Sequence, residues 1–138
     1  MFNRWMLGLI IAALASMPPR VAAQRRTTVV ALDALMRRFW IAAVARDTAV
    51  LDSVIVGDQP RLVLGMFIGG SGEVTRTDAE QTVARQRPPT RTLGDTIWRT
   101  YAVRRGDMTH DWFPYVARFE RRCGKWRIAA ISAVDKAP

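Results

Sequence analysis

Apolar and polar positions change period several times along the chain, and each change predicts a different element. Between Thr27 and Ala45, Leu32, Leu35, Met36, Phe39 and Ala43 recur at steps of three and four. That spacing lines one face of a helix, with Trp40 widening the stripe. Asp33 and Arg37 stand four apart, acid first, and are expected to pair on the solvent side. Asp47 is a suitable N-cap for a second helix, Thr48 to Val56, and Gly57 suits a left-handed position after it. The nearly continuous apolar run Arg61 to Ile68 (RLVLGMFI) predicts a buried strand, with Gly69 to Gly72 as a turn and Glu73 to Thr75 as a brief return strand. Thr77 and Glu80 have the spacing of a capping box. They open a predicted third helix from Asp78 to about Gln86, which Pro88-Pro89 ends.

The period then falls to two. Thr96 to Arg104 sets Ile97, Arg99, Tyr101 and Val103 against Trp98, Thr100 and Ala102. Trp112 to Arg121 sets Phe113, Tyr115, Ala117 and Phe119 against Val116, Arg118 and Glu120. Trp126 to Val134 sets Trp126, Ile128, Ala130 and Val134 against Arg127, Ala129 and Ile131. Alternation of this kind predicts three half-buried strands, with Cys123-Gly124 as the tight turn of the last hairpin.

Two counts alter the picture. The chain has 138 residues, with 21 Lys and Arg against 12 Asp and Glu, a formal net charge of +9. Its N-terminus has the parts of a secretory signal: Arg4, the 13-residue apolar run Trp5 to Met17, then small residues at Val21-Ala22-Ala23. Such a run is too short for a spanning helix, which takes about 20 residues. Cleavage near Ala23 would leave 24–138 as a single domain with no stable membrane span, exported to the periplasm or the exterior. The leader takes Arg4 and Arg20 and no acid with it, so the remaining charge is +7. Basic residues are scattered through every segment, which argues against a nucleic-acid partner. One cysteine and one histidine exclude a disulfide framework and multi-ligand zinc or iron–sulfur sites, so no metal and no cofactor is expected.

The run Arg38 to Leu51 (RFWIAAVARDTAVL) resembles the helical opening of the nuclear transport factor two-like superfamily, in its SnoaL-like and ketosteroid-isomerase-like branches. Gly72 to Thr77, Leu93 to Thr96 and the closing segment Arg118 to Ser132 resemble later elements in the same order. The resemblance implies an α+β fold, a cone-shaped and mostly antiparallel sheet wrapped around three helices (a cystatin-like roll) with a pocket at its open end. It also exposes a departure. Registered on Asp47, the isomerase tyrosine donor falls at Phe39 and the aspartate base at Val63. Phenylalanine donates no hydrogen bond and valine takes no proton, so that mechanism is not carried by these residues.

Three readings follow. In the first, the domain binds a small apolar or anionic molecule, with Phe39, Val63, Tyr101, Phe113 and Tyr115 lining a pocket and Arg99 or Arg118 meeting an anionic group. The second is a lyase- or isomerase-like enzyme using His110 with Asp111 or another nearby carboxylate. A third is a non-catalytic module that forms a homodimer through the outer face of its sheet, anchored by Trp98 and Trp112. A binding protein predicts a pocket with few titratable groups; an interaction module predicts a filled interior and exposed aromatic residues. Gly69 to Gly72 lacks the lysine of a phosphate-binding loop, Arg105-Gly106-Asp107 reads as a turn, and Cys123 as a free thiol among cations.

Overall fold

The helix expected from Thr27 runs from Pro19 to Val44 (α1) in the computed structural model, which describes residues 18–64, 74–104 and 112–134. The chain divides into two compact units, Met1–Ala31 and Leu32–Pro138. In the first, the described residues are helical and mostly exposed, and Thr27 and Thr28 donate their hydroxyls back to the carbonyls of Ala23 and Gln24.

In the second unit, α1 ends in a Schellman turn: Asp47 N–H donates to the Ala42 carbonyl and Arg46 N–H to that of Ala43. The turn places Arg46 at φ 56, a left-handed conformation usually given to glycine. Asp47 then caps Thr48–Val54 (α2), its carboxylate accepting from Val50 N–H at 3.2 Å, as expected. The strand expected from Arg61 is instead a helix, Gln59–Leu64 (α3), as far as the described residues reach. Pro60 sits in its first turn, where a missing N–H costs nothing. Pro60 and Leu64, four apart, are buried, while Leu62 is 74% exposed. Gln59 also closes the open edge of the sheet: its amide donates to the Ile131 carbonyl (2.6 Å) and accepts from Ile131 N–H (2.8 Å).

Val74 and Thr75 form no strand. Thr75, not Thr77, caps Arg76–Glu80 (α4), in a box completed by Asp78 rather than Glu80. Asp78 accepts from the Thr75 N–H and hydroxyl (3.0 and 2.8 Å) and is itself buried. This helix stops at Glu80, and the predicted helical residues Val83–Arg85 form a strand (β1). The Thr82 hydroxyl, bonded to the Ala79 carbonyl at 2.9 Å, helps turn the chain there.

The remaining strands are Arg91–Leu93 (β2), Thr96–Arg104 (β3), Trp112–Arg122 (β4) and Lys125–Ala133 (β5). The fold is α+β, with an open five-stranded antiparallel sheet in the order β1-β3-β4-β5 and β2 also paired to β3. Thus β1 and β2 share one edge of β3, the former opposite residues 100–102 and the latter opposite 96–98. Residues 86–90 loop out between them because Pro88 and Pro89 have no N–H for a ladder. Cys123 and Gly124, at φ 51 and 74, make the two-residue turn of the last hairpin as predicted.

The core lies on one side of the sheet. Tyr101, Tyr115, Phe119 and Ile128 from the strands meet Leu32, Met36, Phe39 and Trp40 of α1, with Leu51 and Val54 of α2. One expected alternation is corrected. Phe119 pairs with Ile128 but Arg118 with Ala130, so Ala129 is an extra residue. That bulge reverses the phase of β5, and Ile131, not Ala130, joins Ile128 in the core.

Candidate functional site

Asp33 organises the polar part of the interior. It leaves its expected partner Arg37 and reaches β3. Its Oδ1 accepts from Arg99 Nε at 2.8 Å and from the Tyr101 hydroxyl at 2.7 Å, and its Oδ2 accepts from an Arg99 terminal nitrogen at 3.1 Å. The other terminal nitrogen of Arg99 donates to the Thr90 hydroxyl at 3.0 Å. Both side chains are mostly buried, Arg99 at 15% and Asp33 at 23% exposure, so a fork-to-fork pair is strong here. Burial alone would lower the Arg99 pKa; the bonds and charge of Asp33 outweigh it and leave the pKa above its ordinary value. Burial, then the Asp33 hydrogen bond and charge, push the Tyr101 hydroxyl far above the ordinary tyrosine range.

The aromatic residues expected around a pocket are packed on one another. Phe39 and Trp40 meet edge to face at 5.4 Å, Trp40 and Tyr115 at 5.8 Å, and Tyr101 stacks on Tyr115 at 5.9 Å. Trp40 Nε1 donates to the Tyr115 hydroxyl at 2.7 Å. Burial raises the Tyr115 pKa strongly, against a smaller lowering by that bond. Phe39, Tyr101 and Tyr115 are 0–1% exposed. Val63 and Phe113 are half-buried against the same core. Arg99 points into this side and Arg118, one strand away, to the other, so these two arginines do not converge. His110 and Asp111 lie outside the described residues, as do Gly69 to Gly72 and Arg105-Gly106-Asp107. Cys123 is free and exposed. Among the described residues, no three His, Cys, Asp or Glu side chains gather as metal ligands.

Two clefts flank the 86–90 loop. One, of about 350 Å³, opens on the outer face of the sheet and is lined by Pro88, Pro89, Thr90, Arg91, Trp98, Thr100 and Val116. Its floor is fixed: the Thr100 hydroxyl donates to the Pro88 carbonyl at 3.1 Å, tying the loop to β3. Register places Arg91, Trp98 and Arg118 in one row, so Trp98 is flanked by two arginines. The Arg91 guanidinium lies 5.5 Å from the Trp98 ring centre. Arg118 Nε is buried without a hydrogen-bond partner and stands 3.7 Å from Glu120, beyond hydrogen-bond length. The second cleft, of about 380 Å³, is lined by Ala84, Arg85, Gln86, Pro89, Thr90 and Arg99. There, Arg99 already uses Nε and both terminal nitrogens on Asp33 and Thr90. The first cleft therefore offers the Arg91 guanidinium beside an aromatic wall.

Sequence reasoning missed Asp33 and this outer cleft. Asp33 carried a signal: it precedes Met36, Trp40 and Ala43 by three, seven and ten residues, which puts a carboxylate on the apolar stripe. Of the cleft only Trp98 was singled out, as an anchor on the outer face of the sheet; the rest carried no signal, because its walls come from the loop, β2, β3 and β4. The chain matches no protein-family model, no curated protein and no solved structure.

Proposed function

We propose that this chain is an exported binding module that takes a small molecule with an apolar body and an anionic group. The ligand lies in the outer cleft beside Trp98, with Arg91 meeting its charge. The observation that carries this reading is the outer cleft itself, where Trp98, Val116 and two prolines stand beside the Arg91 guanidinium. About 350 Å³ falls within the range of small-molecule sites. Its walls of Pro88, Pro89, Trp98 and Val116 suit an apolar body, and a guanidinium suits a carboxylate or phosphate. The proposal keeps the SnoaL-like resemblance, including a cone-shaped roll, but moves the ligand from the inside of the cone to the outer face of its sheet. Export rests on the leader up to Ala23.

Titration of the full chain with decanoate and naphthoate, against their neutral amides, tests this. Saturable binding of the acids is expected, weakened about tenfold or more by Arg91→Ala, since a charge-assisted bond contributes about 1.5–3 kcal/mol. Equal binding of acid and amide, or binding indifferent to both Arg91→Ala and Trp98→Ala, would defeat the reading.

A further inference from the structure

Arginines that look scattered in the sequence become neighbours once the strands pair. Residues opposite each other in an antiparallel ladder share a face. The row through Arg85 and Thr100, and the row through Arg91, Trp98 and Arg118, therefore lie on the outer side. Arg104, opposite Trp112, extends that side at one end. Arg127, opposite Glu120, and Lys125, opposite Arg122, extend it at the other. Among the described residues this face carries seven cations and one carboxylate, Glu120. Two of the cations already neighbour that carboxylate, Arg122 at 3.0 Å and Arg118 at 3.7 Å.

Apolar side chains interleave with the charge. Leu93 is 64% exposed, and Val83 and Trp112 are each 39% exposed, all on the same side by register. Strands of nine to eleven residues make the face roughly 30 Å long, at about 3.3 Å per residue. We propose that this face docks on an anionic lipid bilayer, with the arginines on headgroup phosphates and Trp112, Leu93 and Val83 in the interfacial layer.

Three features select a bilayer. Tryptophan and arginine together suit the membrane interface, where an aromatic body is half immersed and a long cationic stem reaches the headgroups. Exposed leucine and valine contribute there and do little for a polyanion such as nucleic acid. The flat ring faces that bases would stack on are partly taken: Arg91 lies over Trp98 at 5.5 Å and Arg85 over Trp112 at 5.7 Å. A second copy of the chain is disfavoured, since face-to-face pairing would oppose cations to cations. No helix among the described residues is long and apolar enough to cross a membrane.

The test is co-sedimentation of the full chain with phosphatidylcholine vesicles, with and without phosphatidylglycerol. Each basic residue near an anionic surface changes partitioning on the order of fivefold. Binding is expected only to the anionic vesicles and to weaken with salt. Lys125→Glu with Arg127→Glu should reduce it at least tenfold. Arg25→Glu with Arg26→Glu removes the same charge from the first unit and should reduce it less than threefold. Equal losses in the two double variants would reduce the effect to net charge and overturn the docking face, as would binding that ignores both. If the Lys125/Arg127 variant loses a single-stranded oligonucleotide but keeps the vesicles, the partner is nucleic acid and the lipid proposal fails. Neither substituted pair lines the Trp98 cleft, so carboxylate binding should persist in both; its loss would count against the cleft separately.

Discussion

The two faces of one sheet differ more than any two segments of the chain. On the inner face Arg99 is bonded to Asp33 and Thr90, Tyr101 to Asp33, and Tyr115 to Trp40. On the outer face arginines exceed carboxylates, and Arg118 Nε has no hydrogen-bond partner. The same strands supply both, because successive side chains point to opposite sides. A satisfied polar group in a packed interior contributes stability; a cation beside an open cleft contributes an affinity. Stability should therefore map to one face and binding to the other.

The largest effects belong to the inner face. Phe119→Ala, at a fully buried ring, should cost about 4 kcal/mol, read by denaturant unfolding. Asp33→Ala strands the mostly buried Arg99 and should cost about 3 kcal/mol. Adding Arg99→Met should recover part of that loss in a double-mutant cycle; additive losses would mean that the ion pair is not the unit.

Alkali should act through the same face. Tyr101 and Tyr115 both have pKa values raised by folding, so the folded state keeps its protons where the unfolded state loses them. Their contribution is complete below pH 10, near the unfolded tyrosine pKa, and is lost as pH rises above it. The expected slope is about 1.4 kcal/mol per pH unit for each tyrosine. Tyr115→Phe should roughly halve it.

Smaller effects sharpen the contrast. Arg46→Gly should add about 0.5–1 kcal/mol by relieving the left-handed conformation at the end of α1, measured as a rise in Tm. Arg127→Gln on the outer face should change stability by less than about 0.5 kcal/mol. A large loss there would show that the outer cations hold the fold together.

How much of this was legible depended on whether the signal was local. The ends of β3, the Cys123-Gly124 turn and the Asp47 cap rest on neighbours in sequence and read correctly. Arg61 to Leu64 did not, since a short apolar run fits a strand or a helix, and Pro60 decided it by its place in a first turn. Two residue pairs had capping-box spacing, and the burial of Asp78 chose between them. The Ala129 bulge shifts the phase of β5 against β4 and has no signature in the chain itself. Arginine positions were readable within each strand, but their union into one face depends on register between strands. That is why the charge reads as scattered along the sequence, where it argued against a nucleic-acid partner, and gathers on one face of the sheet in the fold.

One pair of titrations tests the division between faces most directly. Trp98→Ala and Tyr101→Phe are each titrated with decanoate, with Tm recorded for both. Trp98→Ala should weaken binding at least tenfold with little change in Tm, while Tyr101→Phe should lower Tm and leave the affinity intact. Lost affinity in Tyr101→Phe with full affinity in Trp98→Ala would place the ligand inside the fold and contradict that division.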